Sequence, residues 1–411
     1  MKSDLDALMQ ARNLDAILVS GKLLGNPPLI YVLQGARLTQ ALFIKKRGEI
    51  PQLIVGSMER EEALHAGYPV RLTGDFGYAE LSRQHNGDPL ATAVAYHLRV
   101  FSDLDIAGRL GFYGYHDQGS AYRFLSALAA ATSDIEVVGE YDNDLILEAR
   151  ATKDAHEVAR IQDVGERTIE VVRRTLRFLQ GHRAGADEVL RKPGTDEPLL
   201  VGDVHAHICR LLAEQGLEDP EGFIFATGRD AGIPHSKGTP TAPLRLGESI
   251  VFDIFPREMG GGYFFDFTRT FSLGYAPEPL QALYRDVFDS LEHVKAALRA
   301  GVVAPTYQRM TCDFFQSRGY PTIAQDPATL CGYVHGLGHG VGLDIHEAPS
   351  FYASPSNTTV LRPGHVFTLE PGLYYPDRGM GCRLEDMIWI DTAGVVQTLT
   401  HFPYELVVPL E

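Results

Sequence analysis

Cysteine is scarce: the 411-residue chain holds four, Cys209, Cys312, Cys331 and Cys382, with no CxxC pair and no short-spaced framework. That argues against a structural zinc site and against a disulfide scaffold, and leaves ordinary, partly buried thiols. Long apolar runs are missing as well, none nearing the roughly 20 residues that cross a bilayer. The opening MKSDLDALMQ lacks the basic-then-apolar order of a secretion signal, so the expected location is cytoplasmic. Basic charge is in deficit, with 37 Lys and Arg against 53 Asp and Glu for a net charge of −16. Such a field opposes nucleic acid and anionic membrane surfaces while suiting bound cations. Absent too are a GxSxG nucleophile turn, a Walker A loop and any low-complexity tract or short tandem repeat.

What is present describes a soluble globular protein, since 45% hydrophobic and 22% charged residues suffice for at least one large core. The length fits two or three domains of about 150 residues, or one large α/β domain with a smaller one. Up to about residue 145, the apolar runs AILV (16–19), IYVL (30–33), ALFI (41–44) and QLIV (52–55) alternate with helix-like stretches. The helix-like SMEREEALHAG stops at Gly67, and GFYG and IEVV flank SAYRFLSALAAA. This pattern predicts a small α/β domain without a close cluster of His, Cys or carboxylates, suited to a scaffold, an oligomer contact or a lid. A fresh helix start follows, with Asp154 as N-cap and Glu157 three residues on, and we divide the chain into domains 1–148 and 149–411.

Beyond the boundary, helical stripes read as core: Val158, Ile161, Val164, Val172, Leu176 and Leu179, then Leu280 to Leu298 with Gly301 as the stop. Strands are expected at 249–256, 263–273, 366–375, 382–390 and 395–400. The second domain is thus α/β or α+β, with a largely antiparallel sheet and helices packed on it.

The chemistry lies where charge breaks the apolar pattern. Asp253 sits in VFDIF, Asp266 in FFDF, Glu370 in FTLEPG and Glu385 in RLEDMIWI. A buried carboxylate without a partner is costly, so four of them in strands call for a shared cation. Asp253 and Asp266 are equidistant from the point between Met259 and Gly260 in the turn-prone REMGGG; Glu370 and Glu385 are equidistant from the point between Asp377 and Arg378 in PDRG. Two hairpins would then face the carboxylates pairwise, about 4.5–5.5 Å apart, where like charges repel unless a metal bridges them.

The Gly-rich run HGLGHGVGLDIHEAP adds a nitrogen donor from His335, His339 or His346. It is not HExxH, since His346 and Glu347 are followed by Ala348, Pro349 and Ser350; nor is it GxGxxG, since Val341 stands at the third glycine's place. Carboxylates with one imidazole suit Mn²⁺, with Co²⁺, Fe²⁺ and Zn²⁺ as alternatives. Two such ions sharing carboxylates would acidify a water and polarise a scissile carbonyl, so hydrolysis is the expected reaction class.

The order Asp, Asp, His, Glu, Glu, in the contexts VFDIF, YFFDFTRT, HGLGHGVGLDIHEAP, TLEPGLYY and CRLEDMIWI, resembles the M24 metallopeptidases. This is the pita-bread family that includes methionine aminopeptidase, aminopeptidase P and prolidase. PHSKG, with His235, adds to the resemblance, and a preceding α/β domain is similar to the creatinase-like one of the Xaa-Pro branch. The resemblance implies a pita-bread catalytic domain and hydrolysis of Xaa-Pro bonds in proline-containing peptides, with two divalent ions. Asp253 and Asp266 would ligate one, with Asp266 bridging; His339 and Glu370 would ligate the other, with Glu385 bridging. By the same resemblance Glu370 handles the proton of the nucleophilic water, His346 hydrogen-bonds the substrate and the tetrahedral intermediate, and His235 assists from the opposite wall. His335 would line the pocket for the proline ring, Tyr374 and Arg383 would contact substrate or support the site, and the protein would be a homodimer. In one departure from the family, twelve residues separate Asp253 from Asp266, two more than is common. An even insertion preserves the face of each Asp, while the altered hairpin borders the site.

Proline warrants a dedicated pocket because it lacks an N–H and fixes φ. The residues leave open a dipeptidase, an aminopeptidase and release from the C-terminal end. Two further readings stand beside the peptidase. One is a creatinase-like hydrolase of non-peptide C–N bonds, which uses this fold without metal and lacks the carboxylate set present here. The other is a non-catalytic peptide- or protein-binding pita-bread module, against which the intact ligands and His346 speak.

Overall fold

A computed structural model describes residues 4–410, leaving Met1–Ser3 of the opening stretch outside it. The chain separates into two compact units, one up to Arg150 and one from Ala151. Among the described residues, no helix is long and apolar enough to cross a membrane.

In the first unit a mixed six-stranded sheet is ordered Val70–Leu72, Gln52–Val55, Gln40–Lys46, Ala16–Lys22, Gly108–Tyr113, Ile135–Val138. The AILV run is unbroken by polar residues because this strand is covered on both faces. Ile17 and Val19 enter one core with Phe43 and Leu53, while Ala16 and Leu18 enter another with Ile44 and Val100. IYVL departs from its neighbours and lies in the helix Pro27–Leu33. Two prolines occupy its first turn, and Asn26 caps it by accepting from the Leu29 N–H. Four apolar residues alone do not distinguish a buried strand from a buried helix; the flanking cap does.

The second unit opens with the helix Ala155–Gln180. Asp154 accepts from the N–H groups of His156 and Glu157, and the Glu157 carboxylate accepts from the Asp154 N–H, completing the capping box. Val158, Ile161, Val164, Val172 and Leu179 are buried along it. The helix Glu278–Ala297 ends at Leu298 rather than at Gly301, whose φ of +84° serves the next turn, where its N–H bonds the Leu361 carbonyl.

Two larger sheets carry most of the remaining strands. One is ordered Ile224–Thr227, Ile250–Ile254, Phe267–Leu273, Val407–Val408, antiparallel except for its last pairing. The other is ordered Glu347–Ser350, His339–Gly340, Val366–Leu369, Asp386–Ile390, Val396–Thr398. The runs 366–375 and 382–390 each break once, because Pro371 has no N–H to donate and the chain passes from the second sheet into the hairpin Gly372–Tyr375/Met380–Arg383. Register is kept through the break: Leu369 opposes Asp386 and Gly372 opposes Arg383, so Glu370 and Glu385 lie across from one another.

The other expected pairing is corrected, for Asp253 opposes Thr268 and not Asp266. REMGGG is no tight turn. Arg257–Glu258 pairs with Leu217–Glu218, and the Glu218 carboxylate accepts from the N–H groups of Gly260 and Gly261, which sit at φ +87° and +89°. The register thereby slips by two residues, one full period of a strand, so the two aspartates keep a common face on a diagonal.

Candidate active site

A cavity of about 410 Å³ in the second unit is lined by Asp253, Asp266, His339, Glu370 and Glu385, together with His235, His335, His346 and Arg383. Tyr374 lies behind it, fully buried. Asp253 comes from the strand Ile250–Ile254, Asp266 from the lead-in to Phe267–Leu273, His339 from the start of His339–Gly340, and the glutamates from the paired breaks. Glycine is required around His339: a Cβ on Gly338 would stand 2.0 Å from the Thr368 carbonyl oxygen, and one on Gly340 2.1 Å from that of Ala348. The segment carrying the histidine therefore lies flush against its neighbours.

Asp266, His339 and Glu385 each offer a ligand atom within 4.8 Å of the others. His339 Nε2 lies 3.7 Å from Asp266 Oδ2 and 3.6 Å from Glu370 Oε1. Its Nδ1 faces the Gly340 carbonyl at 3.2 Å, which assigns the proton to Nδ1 and leaves Nε2 for a cation. Asp253 is turned toward Arg383, whose guanidinium donates to Oδ2 at 2.6 Å. The remaining oxygens, Asp253 Oδ1 and Asp266 Oδ1, are buried without a hydrogen-bond donor. Acceptors left in this state beside further carboxylates and an imidazole fit a divalent cation of hard or borderline character.

Without a cation the cluster repels itself. Burial, then Glu385 and Asp253, hold Asp266 well above the usual carboxylate range, and burial with Glu370 does the same to Glu385. Burial pushes Glu370 up to about 8 against the opposing pull of Arg383. His339 is pushed down to about 3 by burial and by His346, whose ring centre is 4.2 Å away, so it is a neutral donor. His335 falls to about 3 through burial and Arg383; its Nε2 meets the Tyr374 hydroxyl at 2.8 Å and its Nδ1 the Gly336 carbonyl at 2.7 Å. Arg383 also donates to Tyr374 Oη at 2.8 Å, and to Thr268 Oγ1 and the Pro234 carbonyl, each at 3.2 Å. His235 and His346 are exposed on the cavity wall.

Two features escape the sequence reading. Thr268 Oγ1 donates to Glu385 Oε2 at 2.7 Å while accepting from Arg383, coupling carboxylate and guanidinium; its spacing of two from Asp266 was the available signal. Lys153 pairs with Glu347, both side chains 1% exposed, and Glu347 also accepts from the Asp344 N–H, so the pair anchors the turn that presents His346. No short-range pattern links residues that are 194 positions apart. A larger cavity of about 900 Å³ in the first unit, mostly apolar with His97 and His116 on its wall, holds none of these carboxylates.

The sequence model of metallopeptidase family M24 matches residues 159–392. The probable dipeptidase PepE of Mycobacterium tuberculosis is 28% identical over 361 residues, covering 87% of this chain and 81% of that protein. The Xaa-Pro dipeptidase of Pyrococcus furiosus is 31% identical over 205 residues, 50% of this chain and 54% of that protein. Among solved structures, the Xaa-Pro dipeptidase from Bacillus anthracis superposes with a TM-score of 0.73 at 23% identity, over 99% of this chain and 98% of that one, which shows a shared fold.

Proposed function

The chain belongs to metallopeptidase family M24, and from that premise we propose that it is a dinuclear, metal-dependent exopeptidase cleaving Xaa-Pro bonds. The observation that carries the reading is the convergence of four carboxylates and a neutral imidazole on one cavity, with Asp253 Oδ1 and Asp266 Oδ1 buried and undonated. The names borne by the relatives support the choice of proline. Asp253, Asp266, His339, Glu370 and Glu385 would hold two divalent ions, Mn²⁺ ahead of Co²⁺, Fe²⁺ and Zn²⁺. When bound, the ions supply Lewis acidity that makes water nucleophilic near neutral pH and polarises a peptide carbonyl.

The chain's own groups orient the substrate and move the proton. Glu370 takes the proton of the attacking water and returns it to the proline nitrogen, which leaves as an amine only once protonated. His346 donates to the substrate carbonyl as negative charge develops there, and His235 assists from the opposite wall. His335, held by Tyr374 and the Gly336 carbonyl, offers a fixed ring face to the pyrrolidine. Arg383 and Tyr374 brace the floor beneath Asp253. In this reading residues 1–148 are the creatinase-like accessory domain, 149–411 the catalytic domain, and the enzyme works as a cytoplasmic homodimer. The carboxylate set disfavours the creatinase-like alternative.

The test is hydrolysis of Ala-Pro, Ala-Pro-Ala-Ala and Ala-Ala-Ala-Pro by metal-stripped protein with and without Mn²⁺, with products read by mass spectrometry. Mn²⁺-dependent cleavage at the proline bond is expected, and the products identify which end of the peptide is measured. Folded protein that turns over none of them with Mn²⁺, Co²⁺, Fe²⁺ or Zn²⁺ removes the peptidase reading.

A further inference from the structure

Resting on the peptidase reading, we propose that Glu221 selects substrates with a cationic group on the residue N-terminal to the scissile bond. Glu221 lines the same cavity as His235 and His346 but stands outside the cluster around Asp266. It is exposed there, and among the described residues no Lys, Arg or His forms an ion pair with its carboxylate. The neighbouring cation is engaged elsewhere, for Lys237 donates to the Glu221 main-chain carbonyl rather than to its side chain.

The local backbone is held by Lys237 while the Glu221 side chain stays without an ion-pair partner among the described residues. Gly222 sits at φ +77°, and Lys237 Nζ stands 2.6 Å from where a Cβ at that position would be.

The carboxylates deeper in the cavity belong to the cluster that would hold the ions, and Asp253 is in addition bound by Arg383. A cation on an incoming peptide therefore finds Glu221 as its available partner on the wall. The cavity volume, about 410 Å³, is of the size that takes a small ligand such as a dipeptide. Either a basic side chain or the free α-ammonium supplies the required chemistry, and the two are separable by substrate.

The Mn²⁺-loaded enzyme and its Glu221→Gln variant are compared by kcat/KM on Lys-Pro, norleucyl-Pro and Glu-Pro. Lys-Pro should exceed norleucyl-Pro by about five- to tenfold, with Glu-Pro lowest, as expected of one ion pair on a partly dry wall. That preference should shrink at high salt and vanish in Glu221→Gln. An equal fall on Lys-Pro and norleucyl-Pro, restored in part by Glu221→Asp, assigns the α-ammonium as the cation. Unchanged constants in Glu221→Gln, with the wild type active, overturn the inference and leave the peptidase reading standing. An inactive wild type takes both down.

Discussion

Stripping the metal should make the fold sensitive to alkali, and the size of the effect follows from the carboxylates around His339. Glu370 titrates at about 8 in the metal-free protein against an ordinary 4.5, and Asp266 and Glu385 are also raised. The folded chain therefore holds protons that the unfolded chain has released, and its stability falls as pH rises through this range. Buried histidines act in the opposite sense: His335, His339 and His365 lie near 3 against 6.5, so stability is lost as pH falls between those values. The two trends oppose each other from 4.5 to 6.5, and above 6.5 only the carboxylates contribute. Between pH 6.5 and 8 the proton held on Glu370 costs up to about 2 kcal/mol of stability, and Asp266 and Glu385 act in the same direction. A divalent ion replaces those protons and relieves the repulsion. The assay is urea unfolding of chelator-stripped protein at pH 6.5 and pH 8, with and without Mn²⁺. The midpoint should drop at the higher pH, Mn²⁺ should stabilise more there, and Glu370→Gln should lose one proton's share of the slope. Equal stability at both pH values, or a Mn²⁺ effect indifferent to pH, would show that these carboxyls do not hold protons in the metal-free fold.

Two further outcomes are expected. Lys153→Met removes the buried ammonium that pairs with the Glu347 carboxylate and should cost about 3–5 kcal/mol by denaturant titration, most of which returns in Lys153→Met/Glu347→Leu. His346→Gln should lower kcat on a proline dipeptide by about 10²–10³-fold while calorimetry finds Mn²⁺ affinity retained, since this group is assigned to the substrate carbonyl; equal loss of metal would contradict that assignment.

Much of the site was legible because charge inside an apolar strand pattern is conspicuous. Asp253, Asp266, Glu370 and Glu385 stood out for that reason, and the order of these with His339 carried the family resemblance. The capping box at Asp154 and Glu157 was readable because it is chemistry within four residues. The facing of Glu370 and Glu385 followed from symmetry about PDRG, since the register stays unslipped across the break between Val366–Leu369 and Gly372–Tyr375.

Tertiary structure decided the remainder. Glu218 rebuilds the connection after Asp253 from 42 positions away and moves the register by one period, which no count of turn residues reveals. IYVL became a helix through its cap, although its apolar content matched that of its strand-forming neighbours. Thr268, the Lys153–Glu347 pair and the free carboxylate of Glu221 acquire their roles only from how distant segments pack. Patterns of period 2 and 3.6, caps and turns are written in neighbouring residues, so they determine which elements form and which of their positions are out of place. Which of those positions meet, and which of their polar atoms are left without a partner, depends on contacts between segments far apart in the chain, and these exist only once the sheets have closed on each other.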